Sequence, residues 1–258
     1  MSLTVATFNL LDYQARPEER LPLIVAGMAA ECPDLIALQE VSAAHDMGSR
    51  LQHALSAQAM EQGTAWAYHY ARQANLRNHE LTVGILSRYP PLAQEWVDLK
   101  GQGRVALGIT VDVDGMLVNV VSTHLFWDPG PAGEEARLDQ AKRLYDWTKR
   151  SFSTPLTIVG GDFNSTPTSA TYGFLSQRWV SLFAEYHGSE PSWTTPTPVL
   201  PSPTGWQGTV DYLFASPTPA PVSVLDARLF LNDPSPADAS LYPSDHVGVL
   251  ARLALRKT

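Results

Sequence analysis

The chain of 258 residues is long enough to bury a large core, as one α/β domain or two small ones. With 44% hydrophobic and 17% charged residues it has the balance of an ordinary globular protein, and its only cysteine, Cys32, excludes a disulfide framework and a thiolate metal cage. A net charge of −8, with lysine confined to Lys100, Lys142, Lys149 and Lys257, lacks the basic face with which proteins grip duplex DNA; an acidic pocket neutralised by metal ions and a small or single-stranded substrate suit it better.

Met1-Ser2-Leu3-Thr4 has neither the basic region nor the apolar run of a signal peptide, and no apolar stretch reaches the length of a membrane span. Cytoplasmic residence is the expectation. Residues 4–8 read as a strand and 17–31 as a helix with Pro17 at its start. Residues 35–38 read as a second strand, 42–61 as a helical stretch and 81–87 as a third strand. Strands over 105–113 and 117–123 flank Asp114-Gly115, which favours a type I′ turn and predicts a hairpin. A helix over 134–149, a strand over 156–159 and strands near 209–215, 222–230 and 247–253 follow. Hairpins mixed with crossover helices predict an α/β fold of two mixed sheets packed face to face, with helices outside. Residues 191–208 carry five prolines and two tryptophans and read as a long ordered loop, of a length that is often functional. No linker or internal repeat divides the chain, so a single domain over 1–258 is expected.

The run Gly160-Gly161-Asp162-Phe163-Asn164-Ser165-Thr166-Pro167 closes the apolar strand that ends at Val159. Asp162 and Asn164, two apart, point the same way: one carboxylate to orient a water, one amide to hold a phosphoryl oxygen. A strand-end turn capped by Asx side chains is the plainer reading. Other polar groups recur at strand ends: Asn9, Glu40, His124, Asp211, and Asp245 with His246. Singly, each has an ordinary explanation. Asn9 reads equally as a turn former, Glu40 as a carboxylate at a helix N-terminus, His124 as a core histidine and Asp211 as a strand-edge charge. Jointly, four carboxylates at the ends of apolar strands would repel unless a positive charge sat among them. Oxygen donors with His and no Cys point to Mg²⁺ or Mn²⁺ rather than zinc.

These residues, in this order from Thr7 to the last strand, resemble the endonuclease/exonuclease/phosphatase superfamily. The resemblance implies a four-layer αββα sandwich with the pocket at one edge, and a divalent-metal-dependent phosphodiesterase. It implies that Glu40 binds the principal metal ion, with Asn9 and Asp245 close by. Asp162 would orient or deprotonate the attacking water, and Asn164 would hold the scissile phosphate. Asp211 would pair with His246, whose imidazolium stabilises charge on the phosphoryl oxygens, and His124 would meet the phosphate from the other side. Nearby carboxylates are expected to raise both histidines toward the charged form. Glu80 is the candidate partner that orients His124, or else an exposed surface charge.

Three segments are similar in wording to the deadenylase and 2′,5′-phosphodiesterase branch: His124 to Pro129, Gly161 to Pro167, and Trp206 to Tyr212. That likeness makes Trp206 and Pro129 candidates for clamping a nucleobase, against a plainer role for Trp206 as cover for the sheet edge. Gln207 stands where that branch usually has lysine, which removes a positive charge near the substrate. A single-stranded nucleic acid or a nucleotide-like phosphodiester is therefore expected, cleaved by a single-strand exonuclease or nucleotide phosphodiesterase. Competing readings are a phosphatase or phospholipase of phosphorylated headgroups, a duplex endonuclease, and an inactive binding module. The first would need an apolar hairpin or a basic pocket, the second a basic face, and the third would have lost catalytic groups. Arg137 and Gln140, three apart on one helix face, are expected to support the pocket. His45, His53, His69, His79 and His187 read as surface or packing residues. No protein partner is indicated, and a monomer is expected.

Overall fold

The computed structural model describes residues 1–11, 14–64, 66–77, 79–152, 156–216 and 222–256. Twelve strands among them form two six-stranded sheets. The first sheet holds β1 (Ser2–Asn9), β2 (Leu35–Ser42), β3 (His69–Ala74), β4 (Leu81–Ser87), β11 (Val222–Phe230) and β12 (Gly248–Leu255), ordered β11-β12-β1-β2-β4-β3. The second holds β5 (Pro91–Asp98), β6 (Val105–Val113), β7 (Met116–His124), β8 (Leu156–Asp162), β9 (Val180–Ser181) and β10 (Asp211–Ala215), ordered β5-β6-β7-β8-β10-β9. Each sheet contains one parallel pair, β1 with β2 and β7 with β8, among antiparallel neighbours. The sheets are mixed, as the alternation of hairpins and helices implies.

Period-two alternation divides the apolar side chains between layers. Leu3 and Val5 of β1 face the second sheet, where they join Leu107, Ile109, Val120 and Ile158 in the central core. Ala6 and Phe8 face outward, against Ile24 and Met28 of α1 (Pro17–Glu31) and Leu51 and Leu55 of α2 (Met47–Glu61). On the far side, Ala141, Leu144 and Trp147 of α3 (Pro131–Ser151) and Leu175 of α4 (Ala170–Ser176) cover Val121, Val159 and Phe214. The layers run helix, sheet, sheet, helix. None of the described helices is long and apolar enough to cross a membrane.

The sheets pack closely at Gly160, near the end that carries the polar residues. A Cβ on Gly160 would lie 2.9 Å from Ala37 Cβ and 3.1 Å from Thr7 Cβ, so only glycine lets these strands close up. A buried polar chain bridges the two sheets there. Thr7 Oγ1 donates to Gln39 Oε1 at 3.3 Å, Gln39 Nε2 to Ser122 Oγ at 3.2 Å, and Ser122 Oγ to the Leu38 carbonyl at 2.9 Å.

Three local differences from the sequence reading have simple causes. The strand at 35–38 runs on to Ser42, because β4 pairs with Val41 and Ser42, and α2 starts only at Met47. The edge strand β5 is exposed over most of its length and carries no alternating apolar signal. The edge strand β3 and the short helices α4 and α5 (Leu182–His187) likewise carry little pattern of their own.

Candidate active site

Sheet register lines up the first three groups. His124 of β7 is paired with Asp162 of β8, and Asp162 with Asp211 of β10. Asn9 ends β1. Glu40 sits where the β2–β4 ladder slips between Leu38 and Val41, and its φ of 50° is left-handed, so a β-bulge re-aims its carboxylate. Asn164 takes φ 49°, a conformation asparagine tolerates, just past β8. Asp245 and His246 immediately precede β12. Residues from six separated stretches of chain thus reach one end of the sandwich.

One oxygen is the centre of the arrangement. Asp162 Oδ2 accepts from Asn9 Nδ2 at 3.1 Å, and lies 3.4 Å from His124 Nε2 and 3.8 Å from His246 Nε2. Asp162 Oδ1 accepts the Asn164 backbone N–H at 2.9 Å. Asn9 Nδ2 also donates to Glu40 Oε1 at 3.3 Å, which ties the two carboxylates to one amide. His246 Nδ1 meets Asp211 Oδ2 at 2.8 Å, leaving Nε2 to face Asp162 and Asp245 Oδ1, the latter at 4.0 Å. Thr194 Oγ1 donates to the same Asp211 oxygen at 2.6 Å. The Asn164 amide donates to the Leu125 carbonyl at 3.1 Å, which fixes it beside the strand that carries His124.

Burial and charge set the two histidines apart. Burial, helped by the cations of Arg104 and His246, pushes His124 well below the usual imidazole range, so it is neutral. For His246 burial acts in the same direction, but Asp211, Asp245 and Asp162 outweigh it and hold the ring well above its usual value. The expectation that both rings are charged therefore holds for His246 alone. Burial pushes the Asp162 carboxyl up to about 7 against the pull of His246. Glu40 is raised as well, by burial and then by the Asp245 charge.

That concentration of raised carboxyls fits a hard divalent cation. Glu40, Asp162 and Asp245 offer carboxylate oxygens, the chemistry that Mg²⁺ and Mn²⁺ take, while Asn9 turns its Nδ2 toward Glu40 and Asp162 and its Oδ1 accepts the Leu11 N–H at 3.0 Å. Asp211 Oδ1 is buried with no hydrogen-bond partner among the described residues, an unfilled acceptor beside the ion pair that its other oxygen makes with His246. Ligand atoms of Asp162, Asp211 and His246 also lie within 4.8 Å of one another. A doubly protonated His246 has no lone pair to give a metal, so these three are better understood as an ion-paired relay.

The site opens into a cavity of about 510 Å³, lined by Glu40, His124, Asp162, Asn164 and His246 and by residues the sequence reading did not single out. Those are Asn75, Arg77 and Leu81 beside β4, Gln102 and Arg104 before β6, and Phe126 and Trp127 after β7. Arg137 and Gln140 do support one wall. Arg137 Nη1 donates to the Phe126 carbonyl at 3.1 Å, while Gln140 Oε1 accepts the Phe126 N–H at 2.9 Å and its Nε2 donates to the Gly101 carbonyl at 3.1 Å. Trp206, 47% exposed, and Pro129 stand outside the lining of this cavity; the Trp206 ring lies over Gly208. Glu80 is exposed, and the ionisable partner of the His124 ring is Asp162 instead. The other five histidines are exposed. Thr194 carried no signal in isolation; its place in the proline-rich loop, which hydrogen-bonds to the Asp245 and Ser244 carbonyls through Thr195 and Thr197, was the available clue.

Comparison with known proteins shows the family and the fold. The family model described as "Endonuclease/Exonuclease/phosphatase family" matches residues 6–246. The Arabidopsis thaliana protein "Carbon catabolite repressor protein 4 homolog 4" is 30% identical over 172 residues, 55% of this chain and 38% of that protein. A Vairimorpha ceranae protein, "Probable CCR4-Not complex 3′-5′-exoribonuclease subunit Ccr4", is 27% identical over 161 residues, 54% of this chain and 32% of the relative. The matched segments span about a third of those relatives. Among solved structures, the human Nocturnin catalytic domain with bound sulfate superposes with a TM-score of 0.75 and 22% identity, covering 99% of this chain and 94% of that one. That superposition bears on the fold.

Proposed function

Because the chain belongs to the endonuclease/exonuclease/phosphatase family, we propose that it is a divalent-metal-dependent phosphodiesterase acting on single-stranded nucleic acid or nucleotides. The observation that carries the reading is the meeting of a charged and a neutral imidazole on one carboxylate oxygen, Asp162 Oδ2. Two ring Nε2 atoms facing one point suit the equatorial oxygens of a phosphodiester. The similarity to proteins named as exoribonuclease or catabolite-repressor homologues supports the nucleic-acid substrate.

In this reading Glu40, with Asn9 and Asp245, holds the cation. When bound, it supplies positive charge to the phosphoryl oxygens and eases ionisation of water at neutral pH. Asp162, with its raised pKa, accepts the proton of the attacking water and orients it, and Asn164 donates an amide hydrogen to the phosphate. His246, kept charged by Asp211, places an imidazolium against the charge that develops in the transition state. His124 binds the phosphate through its neutral ring. Trp206 and Pro129 clamp the base from outside the cavity.

Digestion of end-labelled single-stranded RNA and DNA with Mg²⁺ or Mn²⁺ tests the reading. The expected result is a ladder of shortened products that is lost with EDTA and in Asp162→Ala. Intact oligonucleotides under every metal would move the assignment to small phosphodiesters or phosphorylated headgroups.

A further inference from the structure

Beyond the residues given a step above, the polar and exposed lining of the cavity is Asn75, Arg77, Gln102, Arg104 and Trp127, with Leu81 and Phe126 beside them. Four of them come from two connections, β3–β4 of the first sheet and β5–β6 of the second, which are fastened together at the mouth. The Leu76 N–H donates to the Gly103 carbonyl at 2.8 Å, and Arg77 Nη1 donates to Gln102 Oε1 at 3.1 Å. Gly103 has φ +72°, and a Cβ there would lie 2.5 Å from the Arg77 backbone nitrogen, so the close join depends on glycine.

The chemistry of this wall differs from that of the metal end. In a chain of net charge −8, two guanidinium groups line one cavity. Asn75 lines the cavity and is 5% exposed, and its buried Oδ1 has no hydrogen-bond partner among the described residues. Trp127 is 64% exposed, an aromatic face left in solvent on the same cavity, and neighbours Phe126 at 6.1 Å between ring centroids. Cation, unfilled amide and free indole match the three parts of a nucleotide: phosphate, polar edge and base. An unstacked base fits an exposed indole; a base held in a duplex does not.

We propose that Asn75, Arg77, Gln102 and Trp127 form a second nucleotide subsite, which binds the phosphate and base of the residue next to the scissile phosphodiester. The inference rests on the phosphodiesterase reading and narrows its substrate: a single strand carrying a further phosphate beyond the one cleaved.

The test compares three substrates: bis(p-nitrophenyl) phosphate, a dinucleoside monophosphate and the matching trinucleoside diphosphate. For the wild type, KM should fall about tenfold from dimer to trimer, the scale of one added phosphate contact and one stacked base. Arg77→Ala and Trp127→Ala alter well-exposed side chains. Each should raise KM for the trimer by about tenfold with kcat within roughly twofold, and by at least fivefold more than for the aryl diester. Arg77→Ala should also flatten the salt dependence of log(1/KM) on the trimer by roughly 0.7, the increment for one phosphate on a single strand. Equal KM for dimer and trimer, or variants that lose equally on all three substrates, would overturn the subsite and leave the catalytic reading intact. A wild type that turns over the aryl diester and neither oligonucleotide would overturn the nucleic-acid reading, and the subsite with it.

Discussion

Replacing Thr194 by Val keeps the shape of a fully buried side chain and removes one hydroxyl. That hydroxyl donates to Asp211 Oδ2 at 2.6 Å and accepts the Val210 and Asp211 backbone N–H groups at 3.1 and 3.3 Å. Asp211 is 1% exposed and its other oxygen already lacks a partner, so no side chain among the described residues stands ready to compensate. A hydrogen bond to a buried charge contributes about 1.5–3 kcal/mol, and an orphaned backbone donor adds to the loss. We expect Thr194→Val to destabilise the protein by about 3 kcal/mol in urea unfolding. Part of the loss should reach the reaction, since Asp211 holds the imidazolium of His246: kcat on an aryl phosphodiester should fall about tenfold, equivalent to roughly 1.4 kcal/mol of barrier. An unchanged kcat together with a stability change below about 0.5 kcal/mol, the scatter of ordinary surface substitutions, would refute the placement of Thr194 behind the Asp211–His246 pair.

Metal and pH should act together on thermal stability. Asp162 has a folded pKa of about 7, above its value in the unfolded chain, so the fold binds the extra proton and that stabilisation is lost as pH rises through about 7. His246, also raised, has the same sign, while the depressed His124 opposes them only below its unfolded pKa of about 6.5. From pH 6.5 to 8.5 the metal-free Tm should therefore decline, and Mg²⁺ should raise Tm more at pH 8.5 than at 6.5; equal shifts at both pH values would contradict the acidic metal site. Gln140→Leu leaves the Phe126 N–H without its acceptor and unties Gly101, and should cost about 2 kcal/mol and raise KM for oligonucleotides; loss of stability with unchanged KM would make Gln140 a purely structural residue. Trp206→Ala should weaken oligonucleotide cleavage by roughly 1–3 kcal/mol and spare an aryl phosphodiester, and equal loss on both would make this tryptophan a cover for Gly208.

The candidate groups were legible because each lies at or close to one end of an apolar strand, closing it as Asn9 and His124 do or opening it as Asp211 does. Register then does the rest: pairing His124 with Asp162 and Asp162 with Asp211 follows from the order of β7, β8 and β10. The Asp114-Gly115 hairpin was equally clear, and both residues have positive φ as a type I′ turn requires. The opposite shifts of the two histidines were not legible, because that of His124 depends first on its complete burial where the sheets meet and then on the Arg104 cation, which no local pattern records. The same holds for Asn75 and Gln102, which lie in connections that become a cavity wall only when the two sheets pack, and for Thr194, buried behind Asp211. Edge strand β5 escaped because one side of it meets solvent.

The most direct test of the central claim is a Mg²⁺ and Mn²⁺ titration of bis(p-nitrophenyl) phosphate hydrolysis by the wild type and by Glu40→Gln. EDTA-treated wild type should be inactive, its rate should saturate with added metal, and Glu40→Gln should need at least roughly tenfold more metal to reach half its maximum. Hydrolysis that persists without metal, or a Glu40→Gln curve that overlies the wild type, would contradict that claim.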